Sequence, residues 1–279
     1  MRPLNIPPNI YEISHSWLSH NERVALIKKN YARLRGQGMP EVTIVIPAFN
    51  EQENILATLQ SLTANITQKK VQILVVNNNS TDKTEAIVKS TGVDCLPEIK
   101  QGITAARNAG LNAAEADYIM NADADAIYPM HWIDEMVDPL KGSMAVALTY
   151  GRFSFLPVGN TGRPTYFLYE YAADALRYIN KYCREEAVNV YGFNSAFRRK
   201  DGLKVNGFNH PVGANEDGYL ALKLRNNGFG RLHYVTSAKA LVWTSDRRIQ
   251  MEGGFAKGLF TRLKKYFYPG TFVQARTDL

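Results

Sequence analysis

Residues 42–51 read Val42-Thr43-Ile44-Val45-Ile46-Pro47-Ala48-Phe49-Asn50-Glu51, and this stretch decides the fold. The five residues up to Ile46 form an uninterrupted β-branched run, which predicts a strand buried on both faces. Pro47 is predicted to end that strand. Asn50 with Glu53 three residues later has the pattern of a capping box, which predicts a helix with Asn50 as its N-cap. The stretch therefore predicts a buried strand followed closely by a helix.

The same alternation continues along the chain. Apolar residues at 55, 59, 62 and 66 have helical spacing, residues 71–76 predict a second strand, and a helix is predicted through about Ser90. A helix near 102–115 then precedes a short strand at 117–120. This order predicts a parallel, doubly wound sheet. Ligands of such sheets bind beyond the carboxyl ends of the strands, and polar clusters at 50–51, 77–82 and 123–125 follow predicted strands.

The composition is that of a folded globular protein. The chain has 279 residues, of which 45% are hydrophobic and 21% charged, which excludes a disordered tail and a fibre. Cys95 and Cys183 do not make a disulfide framework, and no Cys/His spacing matches a zinc site. No apolar run approaches the ~20 residues needed to cross a bilayer, and the start lacks the apolar core of a signal peptide. We therefore expect a cytoplasmic protein, with peripheral attachment to the inner face of the membrane as the alternative.

The positive charge is concentrated near the C-terminus. The formal net charge is +7, and the last 33 residues contain seven basic residues against two acidic ones. Such a localised excess suggests a polyanionic partner, which is a phosphate-bearing substrate, an anionic membrane surface or nucleic acid.

Two carboxylates two residues apart, Asp123 and Asp125, come directly after a predicted strand. Hard oxygen ligands with this spacing suit Mg²⁺ or Mn²⁺ bound together with substrate phosphates. The alternative is a solvated acidic turn, but the position after a parallel strand favours the metal site.

Five short motifs, taken in order, resemble those of the family 2 glycosyltransferases. They are Val45-Ile46-Pro47-Ala48-Phe49-Asn50-Glu51, residues 75–84, Ala106-Arg107-Asn108-Ala109-Gly110-Leu111, Asp123-Ala124-Asp125 and Asn215-Glu216-Asp217. The resemblance covers roughly residues 42–230, about two thirds of the chain. It implies a GT-A fold, which is an α/β, Rossmann-like, mostly parallel sheet flanked by helices with a smaller mixed acceptor-side region. It also implies a nucleotide-sugar donor, Mn²⁺ or Mg²⁺, and inversion at the anomeric carbon.

The resemblance, the helical spacing before it and the charge after it together give the expected domain organisation. Residues 1–40 are a helical lead-in, with helical spacing over 18–34 that predicts packing on the flank of the domain or on a partner. Residues 41–246 form the glycosyltransferase domain, divided into a nucleotide-binding half at 41–126 and an acceptor-binding half at 127–246. Residues 247–279 are a basic C-terminal segment.

By the resemblance, the turn after the first strand meets the base and ribose of the donor. The residues concerned are Pro47, Ala48, Asn50 and Glu51. Asn77 and Asn78 stand where the family usually has one or two Asp residues facing the base. An Asn carbonyl can still accept a hydrogen bond from uracil N3–H, although the group is neutral. The alternative is that these residues only form a helix-capping turn.

The resemblance implies that Asp217 is the general base that accepts the proton of the acceptor hydroxyl. An Asp with an ordinary pKa near ~3.9 is already ionised at neutral pH, so position is expected to matter more than tuning of the pKa. Glu216 is expected to orient the acceptor or the backbone. Arg107 is expected to contact the base or the diphosphate, with a surface ion pair as the alternative.

Further contacts are implied around the sugar and the diphosphate. Asn194, in a Gly-x-Asn-x-x-Phe-Arg-Arg segment, is expected to line the donor sugar, and Trp243 to stack on the sugar of the acceptor or to pack in the core. Asp125, with Asp123, is expected to hold the metal. Many relatives complete the metal shell with a His that this chain lacks, so Asp246 or a water is expected instead. Arg247 and Arg248 are expected to bind the diphosphate.

Two segments are candidates for acceptor or membrane contacts. The aromatic-rich stretch 150–182 is expected to shape the acceptor pocket, with ordinary helix packing as the alternative. Residues 254–268 have the pattern of a basic amphipathic helix, which lies on a membrane surface or packs on the domain.

These features together predict an inverting glycosyltransferase of cell envelope polysaccharide biosynthesis. It would move a sugar, with a UDP-sugar favoured, to a hydroxyl of a glycan or lipid-linked acceptor, and no nucleic-acid partner is expected. The absence of a Gln-x-x-Arg-Trp motif favours single addition over processive synthesis. The alternatives are a sugar nucleotidyltransferase, which would need a Gly-rich loop after the first strand, and a non-catalytic basic protein that binds polyanions or membranes.

Overall fold

The computed structural model describes residues 2–251, in which helices and strands alternate from the first strand at residue 42 to the strand that ends at residue 121. The helices are α1 (Pro8–Ser14), α2 (His20–Arg35), α3 (Ile55–Thr63), α4 (Thr84–Ser90), α5 (Ile103–Ala113), α6 (Trp132–Gly142), α7 (Arg163–Cys183), α8 (Arg199–Lys204), α9 (Glu216–Asn226) and α10 (Arg247–Met251). The strands are β1 (Val42–Ala48), β2 (Val71–Asn77), β3 (Asp94–Pro97), β4 (Tyr118–Asn121), β5 (Ala126–Ile127), β6 (Val146–Tyr150), β7 (Phe153–Leu156), β8 (Ser195–Arg198), β9 (Arg231–Tyr234) and β10 (Val242–Ser245).

The main sheet has seven strands in the order β3-β2-β1-β4-β8-β6-β9. Strands β3, β2, β1 and β4 are parallel to one another, whereas β8 runs antiparallel to both β4 and β6. A smaller sheet has the order β5-β10-β7 and contains one antiparallel and one parallel pair. The predicted fold class is therefore confirmed, including the smaller mixed region in the second half of the chain.

Strand β1 forms the centre of the core because both of its faces are covered. Ile44 and Ile46 belong to the apolar cluster that includes α3, and Val45 belongs to the cluster on the opposite face with α5. Fully burying each of these side chains contributes roughly 1.5–3 kcal/mol. In α5, a Cβ at Gly110 would overlap Val45, so this glycine lets the helix lie close to the strand. The uninterrupted β-branched run is thus explained by a strand covered on both sides.

Two local predictions around β1 are wrong. Pro47 lies inside the strand and pairs with β2, but the pairing of β1 with β4 ends two residues earlier, so no sheet hydrogen bond is lost at the missing N–H. The predicted capping box does not form, since α3 begins at Ile55 with Asn54 as its N-cap. Asn50 instead has a left-handed backbone with φ of 54°, a conformation that Asn tolerates in turns.

The lead-in packs on the domain. Helix α2 begins with a capping box between Ser19 and Glu22, and it buries Ile27, Tyr31 and Leu34 against the main core. The Tyr31 hydroxyl accepts a hydrogen bond from the backbone N–H of Ile73 in β2. The prediction of a helix on the flank of the sheet is therefore confirmed.

The small sheet brings distant parts of the chain together. Strand β10 pairs with β5 so that Thr244 lies opposite Ala126. The residues that follow β10 are thereby held next to those that precede β5, which include Asp125. The predicted amphipathic segment at 254–268 lies outside the described residues. In the part of the chain that the structure describes, no helix is long and apolar enough to cross a membrane.

Candidate active site

A cleft opens at the carboxyl ends of β1, β2 and β4 and beside the first turns of α5 and α9. Most of the predicted site residues line it, namely Pro47, Ala48, Glu51, Asn78, Arg107, Asp123, Asp125, Glu216 and Asp217. The positions follow from the topology, because parallel strands end at the same edge of the sheet. The structure therefore brings the two carboxylates that follow β4 and the two acidic residues at the start of α9 into one cleft.

Arg107 lies in the wall of the cleft and is almost completely buried. Its Nη2 donates to Asp123 Oδ1 at 3.0 Å, and its Nε lies 3.8 Å from Asp217 Oδ1. Neither that Nε nor Asp217 Oδ1 has a hydrogen-bond partner within residues 2–251. Buried polar groups are normally satisfied, so these two atoms indicate a place where a ligand or water completes the bonding. The predicted alternative, a surface ion pair, is wrong because the guanidinium is inside the cleft wall.

Asp217 is held at the first turn of α9. The Asn215 side chain caps this helix by accepting from the N–H of Gly218 at 2.9 Å. Burial raises the pKa of Asp217 to about 8, and the neighbouring Glu216 and Asp123 act in the same direction, while Arg107 opposes the shift. The expectation of an ordinary pKa is therefore wrong. A carboxyl group with a pKa near neutrality suits proton transfer at physiological pH.

A glycine makes room for this arrangement. A Cβ at Gly192 would overlap both the carboxylate of Asp217 and the guanidinium of Arg107. The adjoining carbonyl of Phe193 accepts from the Tyr128 hydroxyl, which in turn accepts from the backbone N–H of Asp123. The loop before β8 is thus tied to the loop after β4, and both walls of the cleft are fixed relative to each other.

Asp123 and Asp125 both face the cleft, and they fit a divalent cation that also binds phosphate. No group of three or more His, Cys, Asp or Glu residues that could hold a metal occurs within residues 2–251. Mg²⁺ is commonly bound by one or two carboxylates together with substrate phosphates and waters. The two carboxylates present match that donor set, in which the remaining ligands come from outside the protein.

Arg247 reaches the cleft from its rim. Its Nη2 lies 2.7 Å from Glu51 Oε1 and 3.2 Å from Asp125 Oδ2. The Arg247 side chain is 39% exposed, whereas those of Glu51 and Asp125 are 14% and 10% exposed. The sequence predicted a diphosphate contact for Arg247, and the structure places it against two carboxylates of the cleft.

The asparagines after β2 have different roles. Asn78 lines the cleft, but its amide holds the loop before α5, since it donates to the carbonyls of Glu98 and Lys100 and accepts from the N–H of Gly102. Asn77 is buried and donates to Glu85, and its Oδ1 has no partner among the described residues. Asn50 bridges the turns after β1 and β2, because its Oδ1 accepts from the N–H of Thr81.

Three predicted contacts are corrected by burial. Asn194 is 1% exposed, accepts from Trp132 Nε1 and donates to the carbonyls of Arg152 and Ala240. Trp243 is also 1% exposed and packs with Ile127 and Leu156 under the guanidinium of Arg163. Asp246 is fully buried and accepts from the Tyr166 hydroxyl at 2.6 Å. All three are therefore structural residues, because a buried side chain with satisfied neighbours has no face left for a ligand.

Several lining residues were missed by the sequence reasoning. Tyr191 and Phe193, on either side of Gly192, line the cleft, as do Gln101 and Gly102 before α5 and Ile103 at its start. The stretch 150–182, expected to shape the acceptor pocket, does not line it. The aromatic signal was present at 191 and 193, but only the tertiary structure shows that these residues, rather than Asn194, turn toward the cleft.

Comparisons of this sequence with known proteins all point to one family. A model described as glycosyl transferase family 2 matches residues 43–202. Glycosyltransferase AglE of Haloferax volcanii is 33% identical over 46% of this chain and 44% of its own length. Probable glycosyltransferase YdaM of Bacillus subtilis is 26% identical over 75% of this chain and 51% of its own length. The chain thus spans about half the length of these curated relatives.

Solved structures share the fold at low sequence identity. The mannosyltransferase PcManGT of Pyrobaculum calidifontis, in complex with GDP-Man and Mn²⁺, has a TM-score of 0.54 at 19% identity and covers 91% of this chain and 75% of its own. Glucosyl-3-phosphoglycerate synthase of Mycobacterium tuberculosis, in complex with Mn²⁺, UDP-Glc and phosphoglyceric acid, has a TM-score of 0.52 at 18% identity and covers 90% and 84%. At this identity the likeness shows the fold.

Proposed function

This chain belongs to glycosyl transferase family 2, and we propose that it is a glycosyltransferase that transfers a hexose from a nucleoside diphosphate sugar to a hydroxyl group with inversion. The acceptor is proposed to be a glycan or a lipid-linked sugar. The observation that carries the proposal is the shared cleft of Asp123, Asp125 and Asp217, with Arg107 between the first and the last.

The donor is proposed to lie with its base beside the turns after β1 and β2. Pro47, Ala48 and Asn78 line this end of the cleft. Asn77 does not line the cleft, but its buried Oδ1 has no hydrogen-bond partner within residues 2–251, and it is proposed to accept from a base N–H. UDP is favoured as the nucleotide, and the structures of similar fold include complexes with UDP-GlcNAc and UDP-Glc as well as GDP-Man.

The diphosphate is proposed to lie against Asp123 and Asp125, which would hold Mn²⁺ or Mg²⁺. A bound divalent cation would offset the negative charge that develops on the departing diphosphate. Arg107 keeps Asp123 in place through the 3.0 Å ion pair. Arg247 is proposed to supply a second positive charge to the diphosphate from the rim.

Asp217 is proposed to accept the proton of the acceptor hydroxyl. In a single displacement the attacking oxygen approaches the anomeric carbon from the face opposite the diphosphate, so the base and the diphosphate site must flank the sugar. Asp217 and Asp125 line the same cleft and come from different elements, which supports this arrangement. Glu216 is proposed to orient the acceptor, beside the rings of Tyr191 and Phe193.

A role in cell envelope polysaccharide biosynthesis and a cytoplasmic location are further parts of the proposal. The basic segment 247–279 is proposed to contact an anionic membrane surface, since it carries seven basic residues against two acidic ones. This contact would bring the cleft close to a lipid-linked acceptor.

The test is a panel of UDP-, GDP- and dTDP-sugars, each with Mn²⁺, in which thermal stability of the full chain is measured. A donor that binds the folded form raises its Tm. At a donor concentration of 100 times Kd, binding stabilises the folded form by about 2.7 kcal/mol. Excess chelator should abolish most of the shift. The donor found is then incubated with candidate acceptors, and NMR of the product should show the inverted anomer.

Two outcomes count against the proposal. If excess chelator leaves the donor-induced shift in Tm unchanged, Asp123 and Asp125 are ruled out as metal ligands. A retained anomeric configuration would remove the single displacement and, with it, the role of Asp217 as a base acting on the acceptor.

A further inference from the structure

Arg247 contacts the carboxylate of Asp125 in a way that bears on metal binding. One nitrogen of its guanidinium, Nη2, lies within hydrogen-bond distance of both Asp125 Oδ2 and Glu51 Oε1. The arginine therefore places a positive charge between two carboxylates that line the cleft. One of these, Asp125, belongs to the donor set that fits a divalent cation.

The sheet brings the backbone of Arg247 close to that of Asp125. Thr244 in β10 is paired with Ala126 in β5. This pairing fixes the residue before β5, which is Asp125, next to the chain that leaves β10 and begins α10 at Arg247. Since the two backbones are held in register, Arg247 lies close to Asp125, and its side chain also reaches Glu51.

A divalent cation and this guanidinium are mutually unfavourable at Asp125. Metal–oxygen distances of about 2.0–2.1 Å would bring a Mg²⁺-sized cation close to the carboxylate, and the guanidinium nitrogen is already 3.2 Å from one of its oxygens. Like charges a few ångströms apart in a partly buried site repel strongly. Occupancy by the metal is therefore expected to displace Arg247 from Asp125.

We propose that Arg247 competes with the divalent cation for Asp125 and moves to the donor diphosphate when the metal binds. The inference rests on the proposed function, since it assumes a metal-bound diphosphate in this cleft. Arg247 then has opposite effects on two equilibria. It weakens binding of the metal alone, and it strengthens binding of the metal together with the nucleotide.

The experiment measures Mn²⁺ binding to the full chain, by electron paramagnetic resonance of free Mn²⁺, without nucleotide and with saturating UDP. Without nucleotide, Arg247→Ala should lower the apparent Kd for Mn²⁺ by about twofold to fivefold, which corresponds to the energy of a partly exposed ion pair. With Mn²⁺ present, the same variant should bind UDP several-fold more weakly than the wild type. The proposed exchange thus predicts two opposite effects of Arg247→Ala, which are tighter binding of Mn²⁺ alone and weaker binding of UDP with Mn²⁺.

Two further variants make the result specific. Arg247→Lys keeps the charge and should bind Mn²⁺ as the wild type does, within about twofold. Arg225→Ala removes an ion pair with Glu185 that lies outside the cleft lining, and it should change neither equilibrium.

The inference is overturned if Arg247→Ala binds Mn²⁺ with the wild-type affinity or more weakly, or if none of the variants binds Mn²⁺. It is also overturned if UDP binding in the presence of Mn²⁺ is unchanged or tighter in Arg247→Ala. Failure of the proposed function gives a different result. Arg247→Ala would then show the two opposite effects on Mn²⁺ and UDP binding, but no sugar would be transferred from any donor. Sugar transfer with identical Mn²⁺ affinity in both proteins would reject the competition alone.

Discussion

Two arginines of the cleft, Arg107 and Arg247, each lie between two carboxylates, but in different surroundings. Arg107 side-chain exposure is 2%, and its partners Asp123 and Asp217 are 24% and 6% exposed. Arg247 is 39% exposed and reaches inward from the rim. The same ion-pair chemistry thus occurs once inside the protein and once at its surface.

The difference teaches how the surroundings decide what an ion pair can do. A buried charge cannot leave its partner without a large desolvation cost, so Arg107 is a fixed part of the cleft. A partly exposed pair contributes little net free energy because water replaces the lost contacts. Arg247 can therefore exchange partners, whereas Arg107 sets the position of Asp123 and lowers the pKa of Asp217 against the effect of burial.

The largest effect is expected at Asp217. Asp217→Asn removes the proposed proton acceptor while keeping the shape of the side chain, so turnover should fall by roughly 10²–10⁴-fold. Donor affinity should stay within a few-fold, because the diphosphate is proposed to lie against other residues. Asp138→Asn, which changes an exposed carboxylate paired with Lys69, is the matched control and should keep its turnover. If transfer by Asp217→Asn persists near the wild-type rate, another group is the base.

Comparison of two arginine variants tests the buried pair more directly. Arg107→Met leaves Asp123 and Asp217 without their shared cation, which should cost about 3–5 kcal/mol and lower the Tm by on the order of 10 °C. Arg225→Met breaks a partly exposed pair with Glu185 and should cost less than about 1 kcal/mol. Calorimetry of the two variants measures the difference. Equal losses of stability in the two variants would mean that burial does not make the Arg107 pair more costly to break than the Arg225 pair.

A smaller effect is expected in the pH dependence of stability. An unfolded Asp loses its proton near pH ~3.9, whereas burial holds the folded pKa of Asp217 near about 8. Between these values the native state binds one more proton than the unfolded state, so the free energy of unfolding falls as pH rises. Asp217→Asn removes this contribution. Its Tm should exceed that of the wild type by a margin that grows from pH 5 to pH 8 in metal-free buffer. Parallel curves of Tm against pH for the two proteins would contradict the raised pKa of Asp217.

The parallel half of the sheet could be predicted from local patterns. The apolar runs that became β1 and β2 are long and are covered on both faces, so their periodicity is unambiguous. Strand β3 was not predicted, because its four residues are only partly buried and lie at the edge of the sheet. The capping box at Asn50 failed for another reason, since its side chain is used by the turn after β2, a contact that lies 31 residues away in sequence.

Within the candidate site, the carboxylates were predictable and their neighbours were not. Asp123, Asp125 and Asp217 follow strands or begin a helix, and each position is readable from the chain around it. That Arg107 contacts Asp217, or that Arg247 contacts Asp125, depends on elements more than 100 residues apart. Asn194 and Trp243 were predicted to contact sugars because of their chemical type, but both are buried. The segments that bury them are distant in sequence, so local patterns do not reveal this burial.

The amino-acid sequence by itself determined the strands β1, β2 and β4 and the helices between them, the family motifs and the acidic residues that follow β4 and begin α9. These depend on contacts between near neighbours and on the rule that parallel strands end at one edge. The tertiary structure decided which polar side chains face the cleft, which arginine is buried and which is partly exposed, and how far the pKa of Asp217 is raised. Those properties depend on burial, and burial is produced by the packing of segments that are far apart in the chain.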